Sequence, residues 1–316
     1  MKILNLNILK TALAFCFLLL ISANVSAYGK INLDYDGKAD FLVFRRANAT
    51  WYGYSTETGG TFTVRWGLAT DKAVPADYDG DGITDLAVFR PETSVWYVLK
   101  SSNGQLLTAT WGLASDDLVP ADYDGDGQTD FAVWRRSDNF YYVLTSSSGY
   151  NPQYFRVPLP SEIPGALDAV PADYDGDGKA DFAVKFNNAW FIYQSQSQTI
   201  KRVDFSTCSS KVLTPADFSG DGYAEPGCVY MMPDVAYIWS FVRSQDNQNI
   251  DFRWGLGPNN DLPVPDDYDN DGHTDFAIYR NGQWWIYPSS TLQSYVVNFG
   301  LGGDVPAQWA NLRFAR

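Results

Sequence analysis

Short apolar runs, rather than helical stripes, set the rhythm of this chain. In one unit the runs are Ala73-Val74-Pro75-Ala76, Leu86 to Phe89, Val95 to Leu99 and Leu107 to Trp111. Ser101-Ser102-Asn103-Gly104 supplies a turn between the last two. Runs of this length, rich in branched and aromatic residues and bounded by turn residues, predict β-strands. No amphipathic helical pattern appears. The plan recurs earlier, at Phe41 to Phe44, Thr50 to Tyr54 and Phe62 to Trp66, with a first strand expected between Tyr28 and Ile31. It recurs later at Phe131 to Trp134, Phe140 to Leu144 and near Tyr154 to Val157, then at Phe182 to Phe186, Ala189 to Tyr193 and Gln283 to Tyr287.

The polar residues repeat even more sharply. Asp77-Tyr78-Asp79-Gly80-Asp81-Gly82-Ile83-Thr84-Asp85 follows the first strand of its unit. Copies lie at 122–130, 173–181 and 267–275, with weaker ones at 32–40 and 217–225. The starts are separated by 45, 45, 51, 44 and 50 residues, a period that signals a solenoid, propeller or array. Four antiparallel strands per period, repeated radially, make a propeller blade.

Comparing the six copies assigns a role to each position. Position 1 is Asn32, Asp77, Asp122, Asp173, Asp217 or Asp267, and position 3 is Asp34, Asp79, Asp124, Asp175, Ser219 or Asp269. Position 5 is Asp36, Asp81, Asp126, Asp177, Asp221 or Asp271, and position 9 is Asp40, Asp85, Asp130, Asp181, Glu225 or Asp275. So many carboxylates repel one another unless a hard cation with oxygen ligands, calcium above all, lies among them. Position 6 is glycine in every copy, as a tight ligand loop with positive φ requires. Position 7 is Lys38, Ile83, Gln128, Lys179, Tyr223 or His273, with no shared side-chain chemistry. This fits a metal ligand supplied by the backbone carbonyl. An EF-hand places its last acid at position 12 between helices; here the acid stands at 9 and a strand follows.

These Asp-x-Asp-x-Asp-Gly-x-x-Asp loops at blade spacing resemble the FG-GAP/VCBS repeats of calcium-bearing β-propellers, the architecture of integrin α-chain heads and many secreted bacterial proteins. The resemblance implies an all-β fold with calcium loops between the first and second strands of four-stranded antiparallel blades. It implies up to six Ca²⁺ ions, with loop 217–225 expected to be weakest because Ser219 replaces an acid and Pro226-Gly227 follows Glu225. It implies no single activity. The blade number is six, alternatively seven. Val305-Pro306-Ala307-Gln308-Trp309 and Leu312-Arg313-Phe314 mimic the first two strands of a further unit without its loop. They either close the ring or form a truncated seventh blade.

Residues 1–27 read as a cleaved export signal: Lys2 and Lys10, an apolar run from Thr11 to Ala23, then Val25-Ser26-Ala27. Residues 28–316 read as a single domain, secreted or periplasmic and monomeric. The net charge is −14, and the six loops hold 22 of the 37 acidic residues. The acidity is thus mostly that of the loops. No basic stripe suggests nucleic acid, anionic membranes are unsuited as partners, and no membrane insertion is expected. In an exported protein, Cys208 and Cys228 suggest a disulfide, with two buried thiols as the alternative.

His273 is the only histidine and stands at position 7, so no catalytic triad and no zinc cluster is legible. Arg45, Arg90, Arg135 and Arg280 recur at the ends of second strands, which predicts a structural carboxylate partner, taken to lie in a neighbouring blade. Trp51, Trp96, Tyr141, Trp190 and Trp284 recur on the third strand, as wedge packing between blades requires. Tyr150 and Tyr154 are out of phase and are the better candidates for ligand stacking. The sequence therefore points to a non-catalytic recognition or adhesion module for a glycan or an extracellular or envelope protein. A carbohydrate-active lyase or hydrolase of propeller fold and a cell-envelope assembly protein are the alternatives.

Overall fold

The computed structural model describes residues 30–159, 167–205, 212–231, 236–256, 261–311 and 313–314. The expected export signal, Cys208 and most of the 158–165 insertion lie outside them. Six antiparallel sheets form a six-bladed β-propeller. Blade 2 shows the plan, from the axis outward: Lys72–Ala73, Leu86–Arg90, Val95–Leu99 and Leu106–Thr110. Burial falls along the same path. Leu86 to Phe89 are buried on both faces because adjacent blades cover them, whereas Leu106–Thr110 alternates between exposed and half-buried residues. This is why second strands read as continuous apolar runs and outer strands as alternating ones. The last strand of blade 3 is Asn151–Phe155, which tolerates Pro152 because it lies on the sheet edge.

The ring closes with six blades, not seven. Val305–Pro306 pairs with Phe41–Arg45 and supplies the innermost strand of blade 1. The strand expected from Tyr28 to Ile31 is therefore not the one used: Lys30 and Ile31 are not in a strand. After Pro306 the helix Ala307–Asn311 lies against the innermost strands of blades 1, 2 and 6. Arg313–Phe314 then pairs with Val212–Leu213 and makes blade 5 five-stranded. Asp266 secures this seam. It occupies the place held by Ala76 in blade 2, is buried, and accepts hydrogen bonds from the Ile31 N–H and from Gln308 Nε2, each at 3.2 Å.

The recurring aromatics pack between blades. Trp51, Trp96, Tyr141, Trp190 and Trp284 have no exposed surface. The indole N–H of Trp51, Trp96, Trp239 and Trp284 donates to the carbonyl 15 residues ahead at 2.9–3.2 Å. Tyr154 is 60% exposed and leans on Tyr142 and Trp111, while Tyr150 is half-buried against Phe131. Cys228 is buried and disulfide-bonded.

The recurring arginines bind within their own blades, which corrects the expected neighbouring-blade partner. Arg45, Arg90, Arg135 and Arg280 form two-pronged pairs with Asp304, Asp71, Asp116 and Asp261 at 2.5–3.1 Å. Each aspartate sits on the connector that enters the arginine's blade. Its Oδ2 also accepts the N–H of a connector leucine (Leu68, Leu113, Leu256 or Leu301) at 2.7–3.0 Å. Blade 4 has Phe186 and Leu167 at the equivalent positions, both in one apolar cluster. Arg90→Ala should therefore cost about 3 kcal/mol in denaturant unfolding, because Asp71 is left buried and unpaired while Arg90 itself is only 22% exposed. The double variant Asp71→Leu/Arg90→Phe, which copies blade 4, should recover more than half of that loss. A double variant no more stable than Arg90→Ala would contradict this account.

Candidate metal centre

The six acidic loops lie at one end of the ring, five of them between the first and second strands of their blades and loop 32–40 leading into the second strand of blade 1, whose innermost strand is Val305–Pro306. The same local logic builds each of them. The position-6 glycines have φ of +82° to +87° in all six loops, the left-handed conformation expected from the sequence. In loops 2 to 5, position 1 (Asp77, Asp122, Asp173 or Asp217) accepts the N–H groups of positions 4 and 6 at 2.6–2.8 Å. In all six loops, position 5 accepts the N–H of position 7 at 2.7–3.1 Å. These bonds curl the backbone around the carboxylates.

The position-9 acid is fully buried in every loop. One oxygen accepts the N–H of position 2 at 2.6–2.9 Å. The other accepts a backbone N–H from the turn between the third and fourth strands, from Thr56, Ser101, Ser146, Ser195, Ser244 or Ser289, at 2.6–3.3 Å. The hydroxyls of these turns reach the loop acids as well. Ser146 Oγ bonds Asp126 at 2.7 Å, Ser147 Oγ bonds Asp124 at 2.6 Å, and Ser289 and Ser290 bond Asp271 and Asp269 at 2.6 and 2.5 Å. Sequence reading missed these serines, although Ser101-Ser102, Ser146-Ser147 and Ser289-Ser290 recur about in phase.

Five groups of carboxylates converge, with one oxygen from each member within 4.8 Å of the others. They are Asp77, Asp79 and Asp85; Asp122, Asp124 and Asp130; Asp173, Asp175 and Asp181; Asp217, Asp221 and Glu225; and Asp267, Asp269 and Asp271. Each can hold a metal ion. The donors are all oxygen, which suits a hard cation. Asp79 Oδ1, Asp175 Oδ1 and Asp269 Oδ1 are buried with no hydrogen-bond partner, an arrangement a cation would relieve.

Loop 217–225, expected to be the poorest, does bring three acids together, because Ser219 donates to Glu225 and Asp221 replaces it in the triplet. Loop 32–40 is the odd one: no triplet forms there among the described residues. Asn32 accepts the N–H of Asp34 and Tyr35, and Asp34 and Asp40 are engaged by Ser55 and Thr56. Tyr35 stands at position 4 with φ +69°, where four of the other loops have glycine. The residues at position 7, from Lys38 to His273, contribute no side chain to any triplet.

Adjacent loops are stitched into a ring. The N–H of position 8 in each loop donates to the position-1 carbonyl of the preceding loop at 2.7–2.8 Å. The pairs are Thr84 to Asn32, Thr129 to Asp77, Ala180 to Asp122, Ala224 to Asp173, Thr274 to Asp217 and, across the closing seam, Ala39 to Asp267. Side chains follow the same direction: a Cβ on Gly80, Gly125 or Gly220 would come within 2.9 Å of Gln128, Lys179 or His273. At these three junctions the position-7 side chain leaves room only for a glycine at position 4 of the preceding loop.

Burial raises all six position-9 acids, taking Asp85 to about 6 and Asp130, Asp181 and Asp275 to about 7. A carboxyl whose folded pKa exceeds its unfolded value of ~4 favours folding when protonated. That contribution is complete below about pH 4 and is lost as pH rises through the folded values. In EDTA, the melting temperature should therefore fall between pH 5 and pH 8. A saturating divalent cation, which needs the ionised acids, should raise it most at the alkaline end. A metal-free melting temperature that rises over this interval would contradict the buried-acid account.

Residues 77–133 and 122–184 match the FG-GAP-like repeat. No curated protein matches the sequence. Among solved structures, the chain is similar to a catalytically inactive virginiamycin B lyase from Staphylococcus aureus with quinupristin, at 11% identity over 90% of this chain and 87% of that one, with a TM-score of 0.49. It is also similar to a streptogramin B lyase, at 9% identity over 88% and 84% with a TM-score of 0.44. A chain of the mitotic checkpoint complex matches at 9% identity over 90% and 82%, with a TM-score of 0.43. The lyase and checkpoint likenesses are too remote to carry an activity across. What the repeat match and the loops establish together is that this six-bladed β-propeller carries FG-GAP-like repeats.

Proposed function

We propose that the protein is an exported, calcium-stabilised β-propeller that serves as a non-catalytic recognition module for a glycan or an extracellular protein. The observation that carries this reading is the set of five convergent all-oxygen carboxylate triplets, carried on six loops that are stitched into one ring. Calcium fits the donor type and the crowding of acids in each loop. Extracellular calcium modules bind with Kd of about 10⁻⁴ to 10⁻³ M. At ~1 mM calcium and Kd ~0.1 mM, one loop would gain about 1.4 kcal/mol. Five would give about 7 kcal/mol, comparable with the whole stability of an ordinary domain. A structural role for the loops is sufficient on that scale. The opposite end of the ring, where the connectors run, presents Leu68, Leu113, Leu256 and Leu301 at 47–56% exposure. It supports a partner-facing surface away from the cation sites.

The mature chain should bind five calcium ions by equilibrium dialysis, and EDTA should lower its melting temperature by 10 °C or more, on the order expected for several kcal/mol. A glycan array run in calcium and again in EDTA, with a pull-down against envelope and extracellular fractions, tests recognition. Calcium-dependent retention of one class supports the reading. Absence of retention in every arm, or release of fragments from a retained polymer, would overturn it, the latter in favour of an enzyme. An unchanged melting temperature in EDTA would overturn the calcium part alone.

A further inference from the structure

We infer that the cation sites of this ring bind cooperatively, each coupled to the loop before it through a single peptide group. This rests on the calcium reading above and adds to it a regulatory property of the same sites. The peptide group in question joins positions 7 and 8. Its N–H donates to the position-1 carbonyl of the preceding loop, as with Thr129 to Asp77. Its carbonyl belongs to position 7, where the sequence places a backbone ligand. The described backbone contains no cis peptide bond, so this carbonyl points opposite to the N–H, away from the preceding loop. None of the six position-7 carbonyls accepts a hydrogen bond among the described residues. One rigid, polarisable unit therefore offers a free oxygen on one side and holds the neighbouring loop on the other.

The consequence follows from hydrogen-bond chemistry. Drawing electron density from the Gln128 carbonyl makes the Thr129 N–H a stronger donor, since linked hydrogen bonds polarise one another. Its acceptor is the carbonyl of Asp77, and the side chain of Asp77 is a member of the preceding triplet. Filling one site thus fixes the backbone of a ligand in the next. Fixing a ligand in advance removes part of the ordering cost of the second binding event, which is positive cooperativity. The side-chain contact of Gln128 over Gly80 acts in the same direction.

The coupling is pairwise and has a gap. Each peptide joins a loop to the one before it, and by linkage the two sites of a pair raise each other's affinity by the same factor. It does not circulate: loop 32–40 forms no triplet among the described residues, so Ala39 holds Asp267 without a filled site behind it. The five triplets form an open row.

A calcium titration of the full chain, followed by chelator competition and by far-ultraviolet circular dichroism, tests this. The expected Hill coefficient is about 2, within the limit set by the number of coupled sites. Asp175→Asn removes a ligand from the third triplet while keeping its shape. It should delete one ion and weaken the remaining uptake about 5-fold at the two coupled neighbours, the triplets of Asp122 and of Asp217. A Hill coefficient of 1, or a variant that loses one ion with the other affinities unchanged, would overturn the coupling and leave the calcium sites standing. Cooperativity that coincides with a folding transition in the dichroism would also overturn it. No calcium uptake at all would instead overturn the underlying reading. If the variant fails to fold, the wild-type Hill coefficient and dichroism still decide.

Discussion

Burial of the position-9 carboxylate is the constraint from which the architecture of each blade follows. An acid with no exposure is costly unless its oxygens are met by donors. Here both are met by backbone N–H groups, one from the start of its own loop and one from the turn between the third and fourth strands. A single side chain thereby ties the inner and outer parts of a blade together at the loop end. At the connector end, the arginine–aspartate pairs do comparable work, with a fully buried acid holding both a guanidinium and a connector N–H. Each blade with both devices is pinned at its two ends by a buried acid.

Much of this was legible because the repeats could be compared with one another. Invariant glycine at position 6 required positive φ, and the φ values agree. Strand positions followed from apolar runs. The ring closure was legible only as one of two alternatives, closure or a seventh blade, because Val305–Pro306 is too short to carry a periodic signal and its partner Phe41–Arg45 lies some 260 residues away. The arginine partners were misplaced for a related reason. Asp71 precedes Arg90 by 19 residues and meets it only after the intervening strand turns back. Loop 32–40 was expected to be weaker than the regular copies but better than 217–225, yet Asn32 offers an amide in place of a carboxylate and Tyr35 takes a backbone conformation costly for a side chain. Loop 217–225 looked poorer, yet Glu225 has the reach to join Asp217 and Asp221.

The departures from the repeat have their own order. Blade 4 exchanges the arginine–aspartate pair for Phe186 and Leu167, and the pocket of about 310 Å³ beside Phe186 is bordered by Phe191, Arg202 and Asp204. Blade 5 adds a disulfide-bonded Cys228 on its second strand and receives an extra strand from the end of the chain. Blades 1, 2, 3 and 6 keep both pinning devices. The regular blades form a contiguous arc across the closing seam, and the divergent pair completes it.

The innermost strand of blade 1 also sets an order of events for folding. Blades 2, 3 and 4 are each built from consecutive segments and contain all their own strands. Blade 1 stays three-stranded until residue 306 is present, although its other strands are made first. The loop that closes when Val305 meets Phe44 is among the longest possible in this chain, and its entropy must be overcome before the last seam rewards it. The slow step of folding should thus be the arrival of the final segment, with the earlier blades waiting as an open arc whose exposed edges are vulnerable to pairing with another chain.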